Sequence, residues 1–173
     1  GFSPMGARAG ESLNVRLAGF NLAQRRVRLF TGGKNDDLCL EAIAGGAYVR
    51  AGLRFDLADE PDADEAEPND TAETAQVVAT PCVVNGDLDA AGGRDLYRFD
   101  GKRGEPLYID ARAQALGSAL EPAVTVRDAR GAVVASGAFD AGASPWADLC
   151  GRDPSLRVVP PEDGAYTVEV SDL

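Results

Sequence analysis

The feature that most constrains this chain is an alternation of apolar and polar residues. In SLNVRLAGF the apolar Leu13, Val15 and Leu17 are separated by Ser12, Asn14 and Arg16, the period of two that sends successive side chains to opposite faces of a strand. RVRLF repeats the pattern with Val27 and Leu29, and LRFDL with Leu53, Phe55 and Leu57. Between these runs lie TGGKND and IAGGAY, which carry the glycines of tight turns. No stretch of residues 1–57 holds a helical period for three turns, so this part is expected to be a small, all-β, immunoglobulin-like module.

The same grammar continues beyond residue 65. DLYRFDGKRGEPLYIDARA reads as two strands joined by the turn GKRGE, with Tyr97 and Phe99 on one face of the first strand and Leu107, Ile109 and Ala111 on one face of the second. AVTVRDARGAVVAS reads as a hairpin turning at DARG, and LRVVPPEDGAYTVEV as another, with Tyr166, Val168 and Val170 inward and Thr167 and Glu169 outward. Turns every 8 to 12 residues or so mark a sandwich or barrel. The only helical candidate is DTAETAQVV, where Asp70 or Thr71 caps a turn or two.

The formal charge of -11 is concentrated rather than global. Residues 58–74 hold eight acids and no base, and without them the chain carries only -3. This divides the chain into a module at 1–57, an acidic linker at 58–64 and a second module at 65–173. A nucleic-acid surface needs clustered Lys and Arg on one face; Arg25, Arg26 and Arg28 are the nearest approach, so nucleic acid is not an expected partner. No apolar run approaches the ~20 residues of a membrane span, and membrane insertion is not expected. The opening GFSPMG carries no initiator Met and reads as a piece cut from a longer precursor.

Histidine is absent. Ser-His-Asp and Cys-His catalysis, HExxH zinc sites and histidine acid–base chemistry go with it. Ser144 in GASPW lies outside any G-x-S-x-G turn, no phosphate-binding glycine loop appears, and nothing selects a catalytic pair from the 28 acids. The expectation is therefore a non-enzyme. Cys39, Cys82 and Cys150 are too far apart for a CxxC motif. In an exported protein, Cys82 with Cys150 is the favoured disulfide, worth roughly 4 kcal/mol in the chain-entropy model; three reduced core cysteines are the alternative. Trp146, in GASPWADLC, is a candidate ligand-stacking residue or a plug at one end of a sandwich. Tyr108, out of phase with Leu107 and Ile109, is a candidate surface aromatic for ligand binding, whereas Tyr97 and Tyr166 are expected in the core.

Taken in order, EAEPNDTAETAQ, VNGDLDAAGGRDLYRFDGKRGEPLYIDARA, TVRDARGAVVAS and PPEDGAYTVEV resemble the bacterial pre-peptidase C-terminal (PPC) domain family, β-sandwich modules appended to secreted proteases and collagenases. The resemblance covers about residues 65–173. SPMGARAGESLNVRLAGFNL is similar to the start of the immunoglobulin-like TIG/IPT modules, which precede PPC modules in some large exported bacterial proteins. Together they imply an all-β fold of two β-sandwich modules, the second jelly-roll-like.

The acidic stretch then acquires a chemistry. Glu65, Glu67 and Asn69 alternate, so an extended chain points all three to one side, and Asp70 follows. GDLDAAGGRD adds Asp87, Asp89 and Asp95. Calcium takes six to eight oxygen ligands in flexible geometry, whereas carboxylates ~4 Å apart repel by about 4 kcal/mol near a protein surface. By the PPC resemblance, calcium is implied at Glu65, Glu67, Asn69, Asp70, Asp87 and Asp95. Collagenase modules carry an aspartate where this chain has Gly92, so Asp89 is the candidate replacement, or the site is weaker or single. Without the resemblance, the acids read as a solvated linker.

The resulting expectation is a calcium-binding, non-catalytic accessory region of a larger exported bacterial protein, secreted or at the cell surface. It would adhere to extracellular matrix or surface polymer, or support neighbouring domains of the same polypeptide. The alternative is a structural spacer or assembly module with no ligand of its own.

Overall fold

The computed structural model describes residues 2–3, 6–8, 10, 12–17, 26–30, 37–44, 47–54, 56–88, 93–138 and 153–173. The fold is all-β. In chain order the strands are β1 (Phe2–Ser3), β2 (Gly6–Arg8), β3 (Ser12–Leu17), β4 (Arg26–Phe30), β5 (Asp37–Ala44), β6 (Ala47–Arg54), β7 (Asp56–Ala58) and β8 (Asp62–Asp64). They continue as β9 (Gln76–Val77), β10 (Val83–Asn85), β11 (Arg94–Gly101), β12 (Leu107–Asp110), β13 (Pro122–Asp128), β14 (Val133–Ala138), β15 (Ser155–Val158) and β16 (Gly164–Asp172). The only helix among the described residues is a 3-10 turn at Gln114–Leu116. Its first amides are held by the Asp153 carboxylate, which accepts from Ala113, Gln114 and Ala115 N–H at 2.9 Å each.

Two compact units divide the chain: residues 1–64 with 81–87, and residues 65–80 with 88–173. In the first, β3 pairs antiparallel with β1 and β4, β5 with β6, and β2 runs parallel to β7. Val15, central in the first alternating run, is fully buried. The acidic residues 62–64, expected in a linker, form strand β8. It pairs in parallel with β10, Asp62 opposite Val83 and Asp64 opposite Asn85. Two side chains fasten this acidic strand and its partner to β2: Gly6 N–H donates to Asn85 Oδ1 at 3.0 Å, and Arg8 N–H to Asp62 Oδ2 at 2.6 Å.

The second unit contains a five-stranded sheet in the order β14-β13-β16-β11-β9 and a two-stranded sheet, β12-β15. One face of the larger sheet supplies Phe99 from β11, Val124 and Val126 from β13, and Tyr166 and Val168 from β16. Val158, Leu156, Leu107 and Ile109 of the smaller sheet pack onto them. The Phe99 and Tyr166 rings stack with centroids 5.8 Å apart, an aromatic pair worth about 1 kcal/mol beyond its buried area.

Among the described residues of this unit, only DARG closes a hairpin between neighbouring strands. Asp128 Oδ1 accepts from Arg130 and Ala132 N–H at 2.9 Å each, and Gly131 takes φ +80° to complete the turn between β13 and β14. The other expected hairpin, LRVVPPEDGAYTVEV, and the two strands joined at GKRGE do not pair with their sequence neighbours. β11 pairs with β16 while β12 pairs with β15, so GKRGE and VVPPED are corners at which one antiparallel ribbon crosses from the large sheet to the small one. Pro160 and Pro161 explain the second corner, since neither has an N–H to continue a ladder. The corners are laced by Gly104 N–H to Pro160 O at 2.9 Å and Arg103 N–H to Asp163 Oδ1 at 2.7 Å.

The expected helical segment is a single turn. Thr71 and Thr74 cap one another, Thr71 N–H donating to Thr74 Oγ1 at 3.1 Å and Thr74 N–H to Thr71 O at 3.1 Å. Propagation stops because Gln76 and Val77 join the sheet beside Tyr97 and Arg98.

Gly101 sits where the ribbon bends. A Cβ there would lie 2.7 Å from the Tyr166 ring and 3.0 Å from Pro160, inside contact distance of a core aromatic that has nowhere to move. Gly101→Ala is expected to lower stability by about 1–3 kcal/mol, measured as a lower urea midpoint with unchanged slope; a midpoint equal to the parent's would refute this account of the corner.

Candidate metal centre

The site forms where residues 65–70 run beside the start of β11. Leu96 N–H donates to Asn69 O at 2.9 Å, and Ala66 N–H to Gln76 Oε1 at 2.9 Å, so the acidic segment is held by one backbone bond to β11 and one bond to a side chain of β9. β11 contributes Asp95 and Tyr97, two residues apart and therefore on one face of the strand. That face is the one on which Phe99 enters the core.

Glu65, Glu67 and Asp95 come together, one carboxylate oxygen of each lying within 4.8 Å of the others. Glu67 is exposed, Glu65 is half-buried, and Asp95 is only 5% exposed. Glu65 Oε1 accepts two hydrogen bonds, from Tyr97 Oη at 2.5 Å and from Asn69 Nδ2 at 2.8 Å. Glu67 Oε2 accepts from Asn69 N–H at 3.1 Å. Asn69 is fully buried, and its Oδ1 has no hydrogen-bond partner. A buried acceptor left in this state costs about 1–3 kcal/mol.

Three acids in one place disturb each other's protons. The Asp95 pKa is pushed up to about 7, first by burial, then by its side-chain hydrogen bond with Glu65, and then by the negative charges of Glu65, Glu67 and Asp70. Tyr97 is likewise held in its protonated form, by burial first and then by its bond to Glu65 and the surrounding carboxylates. The cluster thus offers hard oxygen ligands, a buried amide oxygen in want of a partner, and a carboxyl that keeps its proton when no cation is supplied. Such a group can hold a metal ion, and the donor set is oxygen-only, the kind suited to calcium, magnesium or manganese.

The other expected ligands are distributed differently. Asp70 is exposed; its backbone O accepts from Arg94 Nε at 3.1 Å, and its carboxylate acts on Asp95 through charge. Asp87 is exposed, belongs to the 81–87 segment of the first unit, and is not one of the three clustered carboxylates. Asp89, Gly92, Trp146 and Cys150 lie outside the described residues. Cys82 is a free thiol whose pKa is raised by burial. Tyr108 is 70% exposed, opposite Arg157 in the β12-β15 pair. Tyr97, expected as a core tyrosine, is the residue that sequence reasoning placed elsewhere. Its ring does belong to the inward face of β11, but its hydroxyl reaches Glu65, and its position two residues from the aspartate of R-D-x-Y was the signal available.

The raised Asp95 pKa makes a signed prediction. The folded value lies above the unfolded one of about 3.9, so the folded state binds the extra proton and Asp95's contribution is complete below about pH 4 and lost as pH rises to about 7. In chelator, melting temperature should therefore show a downward component across that window, and Asp95→Asn should abolish it while raising the melting temperature at pH 8. An identical pH slope in Asp95→Asn would show that the proton is held elsewhere. In sequence comparisons, the chain matches no protein-family model and no curated protein.

Proposed function

We propose that residues 65–173 form a calcium-binding, non-catalytic accessory module of an exported bacterial protein, of the kind the PPC resemblance implies. The observation that carries this reading is the fully buried Asn69 Oδ1 without a partner, beside three converging carboxylates. An acidic cluster alone is common on protein surfaces. A buried, unsatisfied amide oxygen beside one is less common, and a bound cation is a partner that satisfies both at once.

Glu65, Glu67 and Asp95 with the Asn69 amide oxygen would supply the protein ligands. Calcium fits better than magnesium because four protein oxygens from an extended segment and a strand match a flexible coordination shell more readily than a strict octahedron. When bound, the ion supplies positive charge in place of the Asp95 proton. The residues themselves do the rest: Tyr97 and Asn69 orient Glu65, and the Leu96–Asn69 backbone bond holds the segment against the sheet.

The expected work is binding or support rather than catalysis. A chain without histidine, whose perturbed carboxyl sits among further carboxylates at the start of a strand, is suited to a structural cation. The exposed ring of Tyr108 on β12, with Arg157 opposite, is a surface suited to an extracellular matrix or surface polymer. Secretion or surface display follows from the same reading, since millimolar calcium is an extracellular condition that weak sites rely on. No helix among the described residues is long and apolar enough to cross a membrane.

Binding to the folded state alone stabilises it by about 2.7 kcal/mol at a hundredfold excess over Kd. Millimolar calcium should raise the melting temperature relative to chelator, magnesium should do so less, and Glu67→Gln or Asp95→Asn should remove most of the calcium shift. Equal melting temperatures in calcium and chelator would sink the calcium assignment.

A further inference from the structure

We propose that the Tyr97 hydroxyl is a positioning group for this site, holding the Glu65 carboxylate in the orientation that a bound cation requires. The inference rests on the cation reading above and deepens it. Its starting point is that a single carboxylate oxygen, Glu65 Oε1, accepts from both Tyr97 Oη and Asn69 Nδ2, at 2.5 and 2.8 Å. A charge-assisted O–H···O⁻ bond of that length is at the strong end of the range.

Glu65 needs such a holder. It sits on the segment after β8, with three rotatable side-chain bonds, and freezing a long flexible side chain on binding costs rotamer entropy. Tyr97 is the opposite kind of side chain: an aromatic with two torsions, on the inner part of β11, with Val168 of β16 on one side and Gln76 of β9 on the other in the sheet. The strand fixes the ring, the ring fixes the hydroxyl, and the hydroxyl fixes the carboxylate. The bond spans 32 residues, so it also brings the acidic segment to Asp95 rather than leaving the two to meet by chance.

The chemical nature of the holder matters. An Arg or Lys in the same place would orient Glu65 equally well but would neutralise it, removing the negative charge a cation needs. A phenol is a neutral donor. It preserves the charge of Glu65 while removing rotational freedom, and partners of this kind around metal ligands typically account for 10- to 100-fold in affinity. The buried Asn69 Oδ1 without a partner is a second sign that the cluster is built for a cation, since it belongs to the amide whose Nδ2 holds Glu65 and is itself an oxygen ligand in want of a partner.

Tyr97→Phe deletes the hydroxyl and keeps the ring. Terbium, a hard oxygen-seeking ion, serves as the probe on the full chain, with affinity from titration and coordinated water from luminescence lifetimes in ordinary and heavy water at saturation. The expected result is a Kd raised about tenfold, more coordinated water because Glu65 no longer stays on the ion, and a melting temperature in chelator close to the parent's. A Kd within about twofold of the parent's would overturn the proposal and leave the cation reading intact. Weakened binding with unchanged coordinated water, or a large fall in the chelator melting temperature with unchanged Kd, assigns Tyr97 a merely structural part and overturns it as well. Absence of terbium and calcium binding in the parent chain sinks both readings.

Discussion

The antiparallel pairing of β11 with β16 is the interaction from which the rest of the second unit follows. Its register, Arg94 opposite Ser171 through Gly101 opposite Gly164, sets Phe99 against Tyr166 and Tyr97 against Val168. With a period of two, the same register puts Asp95, Tyr97 and Phe99 on one face. The strand therefore runs from a charged cluster at one end to a stacked aromatic pair in the core, and a slip of one residue would lose both together. The ribbon continues past Gly101 into the β12-β15 pair, which lays Leu107, Ile109, Leu156 and Val158 over the same core. Gly101 is the permissive point, because the bend brings the Tyr166 ring where any Cβ would lie.

That arrangement carries an electrostatic cost which the fold does not avoid. Asp95 is 5% exposed at the edge of an apolar face, with Glu65 and Glu67 within reach. Burial and like charge both oppose its ionisation, and the proton it retains up to about pH 7 is the response available without a cation. A proton satisfies one carboxyl at a time. It does nothing for Asn69 Oδ1, which remains without a partner while the backbone of Asn69 is tied to Leu96 and its N–H to Glu67. Stored repulsion and an orphaned acceptor in the same few residues make the segment one that could hold a metal ion, which would supply stability that packing does not.

Much of this was legible in the sequence because it depends on local periodicity. The alternation in RDLYRF and GAYTVEV marks β11 and β16 and their inward faces, DARG marks a tight turn, and Tyr108 is exposed because it is out of phase with Leu107 and Ile109. What could not be read was pairing at a distance. Strands next to each other in sequence, LYIDARA after DLYRFD and GAYTVEV after LRVV, look like hairpins, yet each pair splits between two sheets. Periodicity says which face a residue takes and nothing about which neighbour its strand selects. The acidic ADEPDADE shows the converse: composition reads it as solvated linker, but Asp62 and Asp64 are exposed on β8 while its backbone pairs with β10. Charge on an exposed strand is compatible with a ladder, because the ladder uses only the main chain.

The same distinction explains how the candidate ligands sorted. Glu65, Glu67 and Asn69 lie within one short segment and meet through the bonds from Asn69 N–H to Glu67 and Asn69 Nδ2 to Glu65, so their convergence was a local property, and Asp95 joins them through the Leu96–Asn69 bond that fastens this segment to β11. Asp87 was implied by the PPC resemblance alone, and it follows β10 into the first unit. Tyr97 was hidden for a different reason: an inward tyrosine at the fourth position of R-D-x-Y satisfies the core pattern completely, so the pattern leaves its hydroxyl unaccounted for. A buried phenol needs a partner for that one polar atom, and at the mouth of an acidic cluster the partner is a carboxylate. Tyrosine rather than phenylalanine in this place is thus a chemical statement about the neighbouring site, since phenylalanine would fill the same volume of core.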